Sequence, residues 1–402
     1  MKRFRIKEFI SSNITFRKSS MFDFDMTNNF DNLFSEIKGK KCLIIGGAGT
    51  IGSNFIKQLL KFNPSHVVVV DINENGLTEL TRDLRSSSSF KVPKSYYTYP
   101  FDFSDNIFYE MMKHHGPFEI VANFAAHKHV RSEKDRFSIS AMIKNNILHS
   151  KKLLDFLSET PPNHFFCVST DKAVAPVNIM GASKKVMENL IFNYSDKFKV
   201  TTARFANVAF SNGSLLDGFI NRFNKLQPFS SPKNILRYFV SPEESGQICL
   251  LACILGNTKD IFFPKLDKSK LYPFYKISNS YLKFFGFDPI LHNSEEEAKQ
   301  ANILELMNSN KYPVFYFDSK TTGEKMKEEF FTENEKVNFN IFNSLAVIKS
   351  ESEDNTNFLK YIFELENAVN NVASKEKFIE ILKKLLGNFD HIEKGKNLDE
   401  IM

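Results

Sequence analysis

The sequence predicts an α/β fold: a doubly wound parallel sheet, a smaller α/β domain and a helical C-terminal extension. Three observations carry that expectation. Two short apolar runs, 41–45 and 67–70, bracket a glycine-rich turn and an amphipathic helical pattern. A third run, Phe165-Phe166-Cys167-Val168, leads straight into Ser169-Thr170-Asp171-Lys172 and then into another helical pattern. From residue 352 onward the chain is charge-rich and helix-favouring.

At 402 residues the chain can build one large core or two domains. Its 42% hydrophobic and 25% charged residues are ordinary globular values. A net charge of +6 is mild and no long Lys/Arg run occurs, so no nucleic-acid partner is expected. No apolar stretch reaches the roughly 18 residues of a membrane helix. The basic start (Lys2, Arg3, Arg5, Lys7) lacks the apolar segment of a signal peptide, and a cytoplasmic location is expected. Cys42, Cys167, Cys249 and Cys253 read as buried thiols, with no His/Cys set that suggests zinc. The 43 phenylalanines carry no functional reading, and no repeat of 20–50 residues is evident.

Residues 1–38 show little periodicity and read as an arm with short helices, packed on the body or on a second subunit. Lys41-Cys42-Leu43-Ile44-Ile45 then reads as a buried strand. Gly46-Gly47-Ala48-Gly49-Thr50-Ile51-Gly52 follows as a tight turn, opening a helix with Phe55, Ile56, Leu59 and Leu60 on one face. Asn63-Pro64 ends that helix, and Val67 to Val70 form the next strand, closed by Asp71. The whole is a βαβ unit of about 30 residues. Its glycines let the backbone turn tightly and approach a pyrophosphate at the helix N-terminus. Gly46, Gly49, Thr50, Ile51 and Gly52 are therefore candidate cofactor residues. Asp71, 19 residues after the last glycine, is placed to accept hydrogen bonds from an adenosine ribose. Its charge would repel a 2′-phosphate, which points to NAD rather than NADP in a Rossmann-type domain. The alternative is an aspartate that caps the next helix.

Ser95 to Tyr99 reads as the third strand, followed by Phe101-Asp102. Ile120 to Asn123 reads as the fourth, leaving through Phe124, Ala125 and Ala126, whose small side chains admit a close cofactor. His127 and His129 flank Lys128 without a carboxylate cluster, so no metal is expected. Ser140 to Leu157 reads as one long helix carrying Asn145 and Asn146. After the strand that ends at Val168, Ser183 to Asn193 reads as a helix with Val186, Met187, Leu190 and Ile191 on one face. Strand end, loop and helix start thus bring Thr170, Asp171, Lys172 and Lys184 together at the sheet's carboxyl end, where ligands bind. Ser241-Pro242-Glu243-Glu244 has helix-start chemistry.

Thr170 and Met180-x-x-x-Lys184 resemble the active-site segment of extended short-chain dehydrogenase/reductases, with methionine where that family usually carries tyrosine. With Thr170-Asp171-Lys172, the run Asn178-Ile179-Met180-Gly181-Ala182-Ser183-Lys184 is similar to one branch, the UDP-N-acetylglucosamine 4,6-dehydratases of polysaccharide biosynthesis. The resemblance covers roughly residues 40–345. It implies Lys172 as base, Asp171 as acid and Lys184 on the nicotinamide ribose. Met180 has no titratable group to take the C4-hydroxyl proton, which Thr170 could relay. The resemblance further implies Asp102 near the adenine, Phe124, Ala125 and Ala126 along the cofactor, and Lys128 and His129 on the substrate side. Asn146 would support the active-site backbone. Asn207, Ser214 and Arg237 would face the substrate diphosphate, and Glu324 of Gly323-Glu324-Lys325 would help close the nucleotide site. Thr321-Thr322 stand where the family usually has Arg-Pro.

The implied division is an arm at 1–38, an NAD-binding domain at 39–210 with returning segments, a sugar-nucleotide-binding region at 211–345 and a helical extension at 346–402. The implied function is conversion of UDP-N-acetylglucosamine to a UDP-4-keto-6-deoxy sugar by a homodimer or higher homo-oligomer, for surface glycan synthesis. Burial beside Lys184 and a cationic cofactor is expected to push the Lys172 pKa down. A 4-epimerase, which needs no acid at C6, and a non-catalytic NAD-binding sensor are the alternatives.

Overall fold

The glycine-rich turn leaves the third strand from one edge of a nine-stranded sheet in the computed structural model, which describes residues 5–319, 323–350 and 357–393. Six strands carry the site: β1 (Lys41–Ile45), β2 (His66–Val70), β3 (Ser95–Tyr99), β4 (Ile120–Asn123), β5 (His164–Val168) and β6 (Lys199–Ala203). They run parallel in the order β6-β5-β4-β1-β2-β3, and Asp260–Pro264 returns to pair parallel with β6. Leu345–Lys349 and Val337–Asn338 close that edge antiparallel. Helices cover both faces, so β1, β2, β4 and β5 are near-continuous apolar runs rather than alternating ones. The strand order reverses between β1 and β4, which opens a crevice at their carboxyl ends.

A smaller core stands beside this sheet. Phe219 stacks on Phe229 at 4.9 Å and Phe223 on Tyr312 at 5.2 Å. They pack around the three strands Asp288–His292, Lys311–Phe317 and Phe229–Pro232. The N-terminal arm packs on its own chain: Phe9, Ile10 and Ile14 enter the smaller core, and Phe22, Leu33 and Ile37 the larger. Arg17 fixes it by donating from Nε and Nη2 to the Glu244 carboxylate, both at 2.8 Å. Glu244 also completes a capping box with Ser241 at the start of Pro242–Leu255, as the Ser-Pro-Glu-Glu pattern predicts. Ser241→Ala is expected to cost about 1 kcal/mol, read as a lower urea midpoint with an unchanged slope.

Two helices differ from the sequence expectation. The helix expected from Ser183 begins at Ile179, because Asn178 caps it and accepts from Gly181 N at 2.6 Å. Met180 therefore sits in its first turn. The long helix expected over 140–157 is Arg136–Ile143, a π turn at Lys144–Leu148, and His149–Leu157. Such widened turns re-aim a side chain, here Asn146. The four cysteines are buried free thiols. Phe358–Asn370 and Lys375–Leu386 form a helical pair whose second member packs on Ile179–Phe192. No helix among the described residues is long and apolar enough to cross a membrane. Thr321-Thr322 lie outside the described residues.

Candidate active site

The crevice widens into a cleft of about 740 Å³, lined by the catalytic, cofactor and substrate candidates named from the sequence. On one side β1 delivers Gly46, Gly49, Thr50, Ile51 and Gly52, β2 delivers Asp71, and β3 leads to Asp102. β4 leads to Phe124, Ala125, Ala126, Lys128 and His129. β5 delivers Thr170, Asp171 and Lys172, with Met180 and Lys184 from the helix that follows. Asn207, Ser214, Arg237 and Glu324 face them across the cleft.

The glycine loop is packed backbone to backbone. A Cβ on Gly46, whose φ is +74°, would lie 2.6 Å from Ala125 N, and one on Gly52 would lie 2.4 Å from Gly46 O. Both positions exclude a side chain. Ala48 N donates to Asp71 Oδ2 at 2.9 Å and Asn73 N to Asp71 Oδ1 at 2.9 Å. The next helix is capped instead by Asn73, which accepts from Gly76 N. The Asp71 carboxylate retains lone pairs towards the cleft. Asp102 accepts from Ser104 N at 2.8 Å and lies 3.8 Å from the His149 ring.

The π turn explains how the β4 exit is held. Asn146 Oδ1 accepts from His127 N at 2.9 Å, while Nδ2 donates to His127 O and to Ser183 Oγ, both at 3.0 Å. One buried amide thus ties the β4 exit to the Met180 helix, and its neighbour Asn145 lines the cleft. Lys128 Nζ donates to Asn212 O at 2.9 Å, and burial pushes its pKa down. Ser214 caps Leu215–Asn224, so that helix begins at the cleft wall.

At the end of β5, Lys172 Nζ and Asp171 Oδ1 are 3.0 Å apart, and Thr170 Oγ1 donates to the same Oδ1 at 2.9 Å. Asp171 is 2% exposed. The expected downward push on Lys172 is overturned here. Burial alone lowers its pKa, but the Asp171 and Glu328 carboxylates outweigh that, and it is raised. Lys184 behaves the other way: burial pushes its pKa down, only partly offset by Cys167 and Glu188. Its Nζ lies 3.4 Å from Met187 Sδ, and Met180 is buried beside the cleft.

Glu328 was missed in the sequence. It is 4% exposed, with Oε1 3.8 Å from Lys172 Nζ and 3.6 Å from Arg237 Nη2. Four residues past the Glu324 of Gly-Glu-Lys, it stands in the acidic and basic run 324–329, which reads as a solvated loop. Arg237 also lies 3.6 Å from Glu324, whose other oxygen accepts from Ser319 Oγ. Among the described residues no group of three His, Cys, Asp or Glu could hold a metal.

A family model described as polysaccharide biosynthesis protein matches residues 42–350. An uncharacterized membrane protein of Methanocaldococcus jannaschii is 28% identical over 89% of this chain and 99% of its own. The probable polysaccharide biosynthesis protein EpsC of Bacillus subtilis is 26% identical over 84% of this chain and 52% of its own, so the chain spans about half of that relative. Two enzymes of different reaction are also similar. A UDP-N-acetylglucosamine 4,6-dehydratase (inverting) of Campylobacter jejuni is 26% identical over 58% of this chain and 69% of its own. A UDP-glucose 4-epimerase of Rickettsia bellii is 29% identical over 58% and 68%. Solved structures share the Rossmann-type fold. A Streptomyces venezuelae dTDP-glucose 4,6-dehydratase with NAD bound has a TM-score of 0.55 at 18% identity, covering 72% of this chain and 88% of that one.

Proposed function

Because the chain belongs to the polysaccharide biosynthesis protein family, we propose that it is an NAD-dependent nucleotide-sugar 4,6-dehydratase acting on UDP-N-acetylglucosamine. The observation that carries this reading is the 3.0 Å Asp171–Lys172 pair opening on the cleft. Elimination of water across C5 and C6 needs one base and one acid. Moving a single proton across that contact converts ammonium and carboxylate into amine and carboxylic acid, which are the two forms required. Neutral Lys172 accepts the C5 proton, acidified by a ketone at C4. Protonated Asp171 donates to the departing C6 hydroxyl.

The cleft fits NAD. The glycine positions that exclude a Cβ would admit its pyrophosphate at the start of Thr50–Leu59, and Asp71 would accept from its adenosine ribose. NAD, when bound, supplies a hydride acceptor and donor to the sugar, so its redox state is unchanged over a cycle. Lys184 would hold the nicotinamide ribose, and Asp102, Phe124, Ala125 and Ala126 would line the cofactor. Lys128, His129, Asn207, Ser214, Arg237 and Glu324 would meet the sugar nucleotide. Met180 only fills space. Met180→Leu is expected to keep activity within about tenfold, as volume-conserving swaps do, measured as turnover with NAD retained.

A 4-epimerase is the second reading, favoured by the similarity to the Rickettsia enzyme. An epimerase has no leaving hydroxyl, so it leaves Asp171 without an acid's task. Mass spectrometry of UDP-N-acetylglucosamine incubated with purified protein and NAD separates the two. Loss of one water without net NADH supports the dehydratase. An isomer of unchanged mass supports the epimerase, and an untouched substrate with NAD retained rejects both for this sugar.

A further inference from the structure

Lys172 lies between two carboxylates, and only one of them is needed as the acid. Asp171 sits on its own turn at 3.0 Å, and Glu328 comes from the loop after Gly323 at 3.8 Å. Glu328 is 4% exposed, and its Oε2 has no hydrogen-bond partner among the described residues. An orphaned buried carboxylate oxygen is costly, and this one sits behind the proposed base rather than in the cleft lining. The charged groups around Glu328 are Lys172 and Asp171 on the β5 turn, Arg237 on the strand Leu236–Arg237, and Lys325 on its own loop.

We propose that Glu328 is a positioning residue for Lys172, holding its Nζ as a counter-charge from a loop other than the one that carries Asp171. The inference rests on the reading of Lys172 as base. The physics is direct. An anion a few ångströms from an ammonium favours the charged form. Burial lowers the Lys172 pKa, but Asp171 and Glu328 reverse the sign. Burial in turn raises the pKa of Glu328, with Lys172 and Arg237 pulling against it. Asp171 is then free to carry the proton for the leaving hydroxyl while Glu328 keeps a counter-charge at the lysine.

The test compares wild type, Glu328→Gln and Glu328→Asp, each with NAD. The first readout is the rate at which Lys172 in the intact protein is acylated by an amine reagent across pH, followed by mass spectrometry of its peptide. It needs no substrate. The midpoint in Glu328→Gln is expected to fall by about one pH unit, the lower end of shifts from a neighbouring charge, and Glu328→Asp should restore it. The second readout is turnover of UDP-N-acetylglucosamine. In Glu328→Gln the alkaline limb of kcat should move down by the same amount, because the pair then loses its one working proton at lower pH, with KM within about twofold of wild type. A superimposable labelling midpoint in folded, NAD-binding Glu328→Gln overturns the proposal. If labelling shifts but wild type turns over no nucleotide sugar, the placement of Glu328 stands and the functional reading fails.

Discussion

Asp171→Asn is expected to lower the rate of water loss from the sugar by about 10²- to 10⁴-fold, the usual contribution of a positioned acid or base. The amide keeps the shape, and its oxygen can still accept from Thr170 Oγ1, which now reaches Oδ1 at 2.9 Å. It can neither deliver a proton to a leaving hydroxyl nor take one from Lys172 across the 3.0 Å contact. The leaving hydroxyl loses its proton source and Lys172 loses its proton acceptor in one change. If Asp171→Asn eliminates water at the wild-type rate, Asp171 is not the acid. If it loses NAD or unfolds, the change reports packing, because Asp171 is buried as well as charged.

Much of this site was legible because its chemistry lies in short, contiguous runs. The glycine turn, Asp71 and Thr170-Asp171-Lys172 each sit directly after a strand, and a parallel sheet brings strand ends together whatever the connections between them. The residues that complete the site come from elements whose placement only tertiary packing decides. Glu328 reaches Lys172 because the loop after Gly323 folds back along Arg237, whose Nη1 donates to Met326 O at 3.3 Å. No periodicity marks such a loop. The sign of the Lys172 shift was misread for two reasons: Asp171, its sequence neighbour, raises it most, and Glu328 from that unseen loop adds to it. Asn146 could be named in the sequence, but the π turn that aims it could not, because a helical pattern does not record one added residue in a turn. The arm's placement was equally hidden, for Arg17 meets Glu244 across more than 200 positions of chain.

A chain ending at Gly387 is expected to be about 3–5 kcal/mol less stable than one ending at Glu393, and to turn over more slowly. The six residues from 388 to 393 carry a buried aromatic ring and two backbone bonds to distant loops. Phe389 is 3% exposed in the main core, and truncating a buried phenylalanine typically costs that much. Ile392 N donates to Val177 O at 3.0 Å, and Gly323 N donates to Ile392 O at 3.0 Å. The tail is thereby stitched between the loop that carries Asp171 and Lys172 and the loop that leads to Glu324 and Glu328. His391 lies 3.8 Å from Glu133, which accepts from Ile179 N at 2.6 Å, one residue before Met180. Stability lost at the core should appear as a lower urea midpoint. Stitching lost at the site should appear separately, as a lower kcat at temperatures where the shortened chain is still folded. Phe389→Leu distinguishes the two effects, since it weakens the core while leaving both backbone bonds in place, and it should lower the midpoint with little change in kcat. A shortened chain with full kcat below its midpoint would mean that the tail only adds core, and that the two loops hold each other through Asn178 Nδ2, which donates to Gly323 O at 2.7 Å.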